Sequence, residues 1–235
     1  MVAETKSERS RNTASLIFLC LTAAYIACLM LTNLIAGKMW AVTEHITLPA
    51  AVVLFPVTYI LGDIFTEVYG FSRTRIVIWL GFACSFFAVG VYLLTLYLPH
   101  PDFWESQSAY ETVLGTTPRV AAASFLGYLF GEFSNSMILS RLKVATGGKL
   151  LWVRTILSTL VGEGFDSVIF ISVSFGGLMD SRSLGQMILF QYLFKVCYEI
   201  LFTPLTYAAV NAIKHAEGID TYDYGLKYRI LRNEP

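Results

Sequence analysis

Charge is what this sequence has least of. Only 14% of its residues are Asp, Glu, Lys or Arg, where a soluble domain carries roughly 25%. Hydrophobic residues make up 55%, and mean hydropathy is +0.60. Together these argue against a water-soluble domain and for a membrane protein. Net charge is missing too. The 17 basic and 17 acidic residues balance, leaving no basic excess for a nucleic-acid partner. Cysteine is confined to Cys20, Cys28, Cys84 and Cys197, all in apolar runs and none in C-x-x-C, so they read as small buried hydrophobes. His45, His100 and His215 are scattered in polar connections, which gives no metal-ligand cluster; no metal and no cofactor are expected. The phosphate loop G-x-x-x-x-G-K-[ST] is absent, so the chain does not itself hydrolyse nucleoside triphosphates.

What the sequence has is long apolar runs. A helix crossing the hydrocarbon core needs about 20 apolar residues. Six stretches qualify: 15–36, 50–69, 76–98, 120–140, 153–178 and 184–212. The reading is an all-α integral membrane protein of six transmembrane helices forming a single domain over 1–235. Pro204 predicts a kink or broken end in the last span. The alternation in 37–49 fits a short external hairpin.

Lys and Arg set the orientation. Thirteen lie in the N-terminal segment, the links after spans two and four, and the tail; the alternate connections hold only Lys38, Arg119 and Arg182. By the positive-inside rule the segment 1–14 and the tail 215–235 are cytoplasmic. The link 99–118, with three acids and no Lys or Arg, is external. The first span follows Lys6, Arg9 and Arg11 but is longer than a signal-peptide core, and reads as an uncleaved helix. The localisation expected is the cell (inner) membrane, with the lipid bilayer as a partner.

Seven ionisable residues remain inside the spans: Asp63, Glu67, Glu132, Glu163, Asp166, Lys195 and Glu199. Each acid at a bilayer centre costs about 2.5–3.5 kcal/mol on insertion scales. Six facing lipid would cost more than a typical folding stability, so they must face one another, a partner or a wet cavity. Asp63/Glu67 and Lys195/Glu199 are spaced i,i+4, and Glu132/Asn135 and Glu163/Asp166 are spaced i,i+3. Each pair therefore projects from one helix face. Four helices contribute a polar stripe, and Asn33 and Gln191 add polar groups. The pattern points to a midplane binding site. Lys195 and Glu199 read either as a self-neutralising ion pair or as members of that site. Glu67 reads as interfacial or, with Glu199, as a proton-coupling group. Glycine precedes an acid three times, at Gly62-Asp63, Gly131-Glu132 and Gly162-Glu163, and GEFSNSMI resembles GEGFDSVI. Glycine there permits close helix approach.

Three function classes compete. A transporter of a small polar solute fits six short-linked spans with a polar midplane. A substrate-capturing subunit of a multi-component vitamin uptake complex could dock through Ala23-x-x-x-Ala27. An intramembrane acid–base enzyme could use paired aspartates, but the aspartyl-protease pattern G-x-G-D is not matched.

The run Phe55-Pro-x6-Asp63 closing at Tyr69-Gly70, the motif Gly162-x-x-x-Asp166-Ser167, the run Gln191-Tyr-Leu-Phe-Lys195 and the pair Thr32-Asn33 resemble the queuosine precursor transporter family, within the vitamin uptake transporter group. The resemblance covers nearly the whole chain. It implies a non-enzymatic importer of deazaguanines (the cyano or aminomethyl forms, or queuine) for salvage into tRNA queuosine. The substrate-binding residues expected are Asn33, Asp63, Glu132, Asn135, Glu163, Asp166, Gln191 and Lys195. A carboxylate of Asp63 or Asp166 can accept from a ring N–H and an adjacent amine together. A homo-oligomer stays open.

Overall fold

A computed structural model describes residues 15–44, 46–115, 117–226 and 228. The expected cytoplasmic segment 1–14, His45, Lys227 and residues 229–235 lie outside them. The first helix, α1, spans Leu16–Ile35. Ser15 caps it, its side chain accepting from the Phe18 amide at 3.0 Å. The expected hairpin follows as β1 (Met39–Thr43) and β2 (Ile46–Pro49), antiparallel, pairing Met39 with Pro49 and Trp40 with Leu48. A 3-10 turn at Ala50–Val53 leads into α2, Phe55–Tyr69. Pro56 in its first turn suits a position whose N–H has no helical partner.

The second span thus departs from expectation. Its α-helix is 15 residues, or about 22 Å, well short of a bilayer core of about 30 Å. Twelve of those 15 residues are buried, which makes α2 the central helix. Gly70, at φ +81°, breaks it, and α3 (Phe71–Tyr97) starts at once. The short exposed α4 (Gln107–Gly115) lies in the expected external link. It is followed by α5 (Thr117–Ala145), α6 (Leu151–Phe175) and α7 (Ser181–Glu217). Pro204 lies inside α7, which continues through it as helix rather than ending near it.

Among the described residues, α1, α3, α6 and α7 are long and apolar enough to cross a membrane. Burial along them is inverted relative to a soluble bundle. The exposed face of α6 carries Leu157, Val161, Phe165 and Val168; its buried face carries Arg154, Ser158, Glu163 and Asp166. Lipid on the outside explains this, since apolar side chains lose nothing there while polar ones must find partners within. The cysteines follow the same logic. Cys20 and Cys197 are exposed and Cys28 and Cys84 half-buried, correcting the expectation that all four are core residues.

The glycine–acid pattern has a packing cause. A Cβ on Gly131 would lie 2.9 Å from the Gly162 carbonyl oxygen, and one on Gly162 would lie 2.8 Å from that of Gly131. The backbones of α5 and α6 therefore touch at these two glycines. Gly62 in turn makes room for the Glu132 carboxylate. Gly162→Leu is expected to separate α5 from α6 and lose about 1–3 kcal/mol or more by overpacking. Thermal unfolding in detergent measures this, and wild-type stability in the variant would contradict the crossing.

One end of the bundle is tied by the chain beyond Gly218. The Thr221 amide donates to the Val68 carbonyl at 3.2 Å. Asp223 accepts from the Phe71 amide (3.0 Å) and the Ser140 hydroxyl (2.6 Å). Tyr228 packs edge-on against Phe71 and under the Arg141 guanidinium. Ser15 donates to Glu217, so the start of α1 and the end of α7 meet at this end. Asp220 accepts from Lys143 and pairs with Lys214. Burial opposes ionisation of Asp220, yet the hydrogen bonds from Lys143 and Lys214 outweigh it and hold its carboxyl below the usual aspartate value. A lowered folded value means this tie is complete above the ordinary aspartate pKa and is lost as pH falls through the lowered one. The opposite end holds the hairpin, α4 and the α6–α7 turn, where Arg119 donates to the last carbonyls of α6, Val173 and Gly176.

Candidate functional site

The buried stripe of α7 runs Met187, Gln191, Lys195, Glu199, Thr203, Thr206 and Val210, close to four-residue spacing throughout. It faces α6, whose Glu163 and Asp166 share one face, and α2, whose Phe55, Tyr59 and Asp63 recur every four residues. The polar side chains from these faces and from α5 sort into three clusters.

The first centres on Lys195, which is 2% exposed. Its ammonium lies 2.8 Å from Glu163 Oε2 and donates to Asp166 Oδ2. It also sits 4.1 Å from the ring centre of Phe55 and 5.8 Å from that of Tyr59. The cation is thus held by two carboxylates and an aromatic face, an arrangement a desolvated ammonium needs. Lys195 has its ion pairs on α6 and not with Glu199 on its own helix, which sets aside the self-neutralising reading. Tertiary geometry wins because α6 presents two acids, and two carboxylates offset more of the desolvation cost than one. Beside the cluster is a small cavity of about 10 Å³, lined by Ala51, Val52, Phe55, Asp166, Phe170, Gln191 and Lys195. Asp166 Oδ1 has no hydrogen-bond partner among the described residues.

The second cluster joins α2, α5 and α7. Asn135 Nδ2 donates to Asp63 Oδ1 at 2.7 Å, and Ser136 donates to Glu132 at 3.2 Å. Glu199 on α7, with Glu132 and Glu67, is among the charged groups near Asp63.

The third centres on Glu67, near the end tied by the tail. Arg154 grips it with both terminal nitrogens, at 2.6 and 3.3 Å. Lys214 donates to it at 2.7 Å, and Lys143 lies 3.5 Å away while donating to the Glu67 carbonyl at 2.6 Å. Four helices meet on one carboxylate. Glu67 is 1% exposed, so its carboxylate faces these protein partners and not the surface. Asn33 is buried, with its Oδ1 unpartnered among the described residues; one turn on, Ala36 packs in one cluster with Ala51, Val52 and Phe170, which line the cavity beside Lys195.

The sequence reading named neither Phe55 and Tyr59 as site residues nor Arg154, Lys143 and Lys214 as partners of Glu67. The spacing of Phe55, Tyr59 and Asp63 was a usable signal for the aromatic pair. Arg154, Ser158, Gly162 and Asp166 also recur every four residues, which put Arg154 on the polar face.

Residues 49–209 match the family described as "Putative vitamin uptake transporter". The chain belongs to this family. A Bacillus subtilis (strain 168) relative named "Probable queuosine precursor transporter" is 30% identical over 166 residues, 70% of this chain and 72% of its own length. A Haemophilus influenzae relative of the same name is 26% identical over 166 residues, 68% of this chain and 67% of its own. No solved structure matches. Membership of the vitamin uptake transporter family sets aside the intramembrane hydrolase. All three clusters lie within the matched region apart from Lys214, and the motifs at Phe55–Asp63, Gly162–Ser167 and Gln191–Lys195 supply the Lys195 cluster and its neighbour.

Proposed function

We propose that this chain is a single-domain importer of deazaguanine precursors of queuosine in the cell's inner membrane. It crosses six times, with α2 and its 3-10 turn forming the second, shorter crossing, and with both termini cytoplasmic. The observation that carries the reading is the Lys195–Glu163–Asp166 cluster against Phe55, opening on a cavity shared with Gln191. The names of the two relatives supply the substrate class.

A deazaguanine presents a ring N–H and an exocyclic amine side by side, with a carbonyl oxygen beyond. Asp166 has an oxygen free to accept, Glu163 adds a second carboxylate, and Lys195 or the Gln191 amide donates to the carbonyl. Phe55 and Tyr59 offer ring faces to a planar heterocycle. At about 10 Å³ the cavity has room for about one water, far below the roughly 300–1,000 Å³ of drug-sized sites, so entry of a bicyclic ring requires its walls to move. Ala51 and Val52 line it from the 3-10 turn outside the α-helices, where hydrogen-bond geometry is poorer. Uptake of labelled deazaguanines into cells lacking their synthesis tests the reading: accumulation appears with this chain and is absent without it, and equal accumulation in both overturns it.

The orientation rests on the sorting of Lys and Arg. A single cysteine placed in the link 99–118, with native cysteines replaced, is expected to react with an impermeant reagent in intact cells. Reaction only after permeabilisation reverses the topology.

A further inference from the structure

The buried charges of the core do not balance evenly. Lys143, Arg154 and Lys214 serve Glu67, and Lys195 serves Glu163 and Asp166. None of these four cations forms an ion pair with Asp63, Glu132 or Glu199, although those acids are at most 2% exposed. An ionised carboxylate in such a place costs far more than it can recover without a partner, and a group in that position takes up a proton instead.

Hydrogen bonding points the same way. Asp63 Oδ1 accepts from Asn135 Nδ2, and the second carboxylate oxygen, Asp63 Oδ2, and the amide oxygen, Asn135 Oδ1, are both buried with no partner among the described residues. Glu199 Oε1 is likewise buried without one. With Glu132 Oε2, also buried without a partner, the cluster holds four unpartnered acceptors. A proton on Asp63 Oδ2 supplies a donor beside acceptors that have none, the Asn135 amide oxygen among them. It also removes one of two like charges facing each other across α2 and α7. Asp63 has Asn135 and Glu132 from α5, Glu199 from α7 and Glu67 from its own helix around it, and among the described residues no ion pair reaches it.

We propose that Asp63, clamped by Asn135 and opposed by Glu199, is an exchangeable proton site distinct from the Lys195 cluster, and that it couples substrate movement to proton entry. The proposal rests on the transport reading given above. Its geometry suits coupling: Glu199 lies one turn from Lys195 on α7, and Asp63 one turn from Tyr59 on α2. Moving substrate against Lys195 or Tyr59 shifts the two helices between which the proton is held. In each cycle one proton joins the Asp63 carboxylate from one side and leaves to the other, with no bond made or broken in the substrate.

Two measurements separate this proposal from the reading beneath it. The first needs no substrate. Infrared spectra of the purified wild type at neutral pH are expected to show a protonated-carboxyl C=O band that shifts in D2O, disappears in Asp63→Asn and shifts in Glu199→Gln. Absence of any such band removed by Asp63→Asn overturns the site. If Asp63→Asn does not reach the membrane, Glu199→Gln decides, and an unshifted band overturns the coupling of the two acids. The second uses vesicles and labelled deazaguanine. A gradient of one pH unit sustains about tenfold accumulation when one proton accompanies each neutral substrate. Asp63→Asn is expected to abolish that accumulation while substrate counterflow continues. Loss of both makes Asp63 a substrate ligand and overturns the proposal. Failure of the wild type to carry any deazaguanine defeats the transport reading alone, and the infrared result stands by itself.

Discussion

Glu67→Ala is expected to cost about 3–5 kcal/mol of stability, because removing one partner leaves a buried cation uncompensated. Arg154 suffers most. It is 1% exposed, and its other hydrogen bonds go only to the carbonyls of Gly148 and Lys149. Lys143 and Lys214 keep Asp220 as a partner. The double variant Glu67→Ala/Arg154→Leu should therefore recover much of the loss, since replacing both members of a buried pair is often nearly neutral. Thermal unfolding in detergent and the monodisperse fraction after extraction measure both. A single variant as stable as wild type, or a double variant no better than the single, would remove Glu67 as the tie among α2, α5, α6 and α7.

Asp166→Asn is expected to weaken deazaguanine binding several-fold to a hundredfold. It puts a donor where the substrate presents a donor, and a buried mismatch costs about 1–3 kcal/mol, more where charge is lost. The fold should survive, because Lys195 keeps Glu163. Asp166→Glu should also fail, since one methylene displaces the carboxylate from a site needing placement within about 0.5 Å. Lys195→Met is the harsher change. It leaves Glu163 and Asp166 side by side without their cation, so it should impair assembly as well as binding. Binding by Asp166→Asn equal to wild type, at matched membrane abundance, takes Asp166 out of the site.

Much of this arrangement is written locally. The hairpin after α1 follows from alternation, and the polar faces follow from i,i+3 and i,i+4 spacing. The three glycine–acid pairs report helix crossings at which a side chain would collide. The same local signals mislead where partners come from afar. Lys195 and Glu199 have ideal intrahelical spacing, yet Lys195 binds acids 29 and 32 positions earlier in the chain, on α6. The cations on Glu67 lie 76, 87 and 147 residues further on. Periodicity tells which face of a helix a residue occupies, not which helix that face will meet. Lys143, Arg154 and Lys214 were legible as charges near one membrane surface, but their burial was not. The start of α2 at Phe55 was blurred because 50–54 is as apolar as the helix after it, and only Pro56 marks the change.

The account's central claim is that the Lys195 cluster binds the deazaguanine. Calorimetric titration of the purified, detergent-solubilised chain with aminomethyl- and cyano-deazaguanine and queuine, with guanine as comparison, tests it most directly. Saturable binding of at least one deazaguanine is predicted, weakened by Asp166→Asn and by Gln191→Leu. Tight binding that ignores Asp166 and Gln191, or no binding of any deazaguanine by a folded wild type, would contradict it.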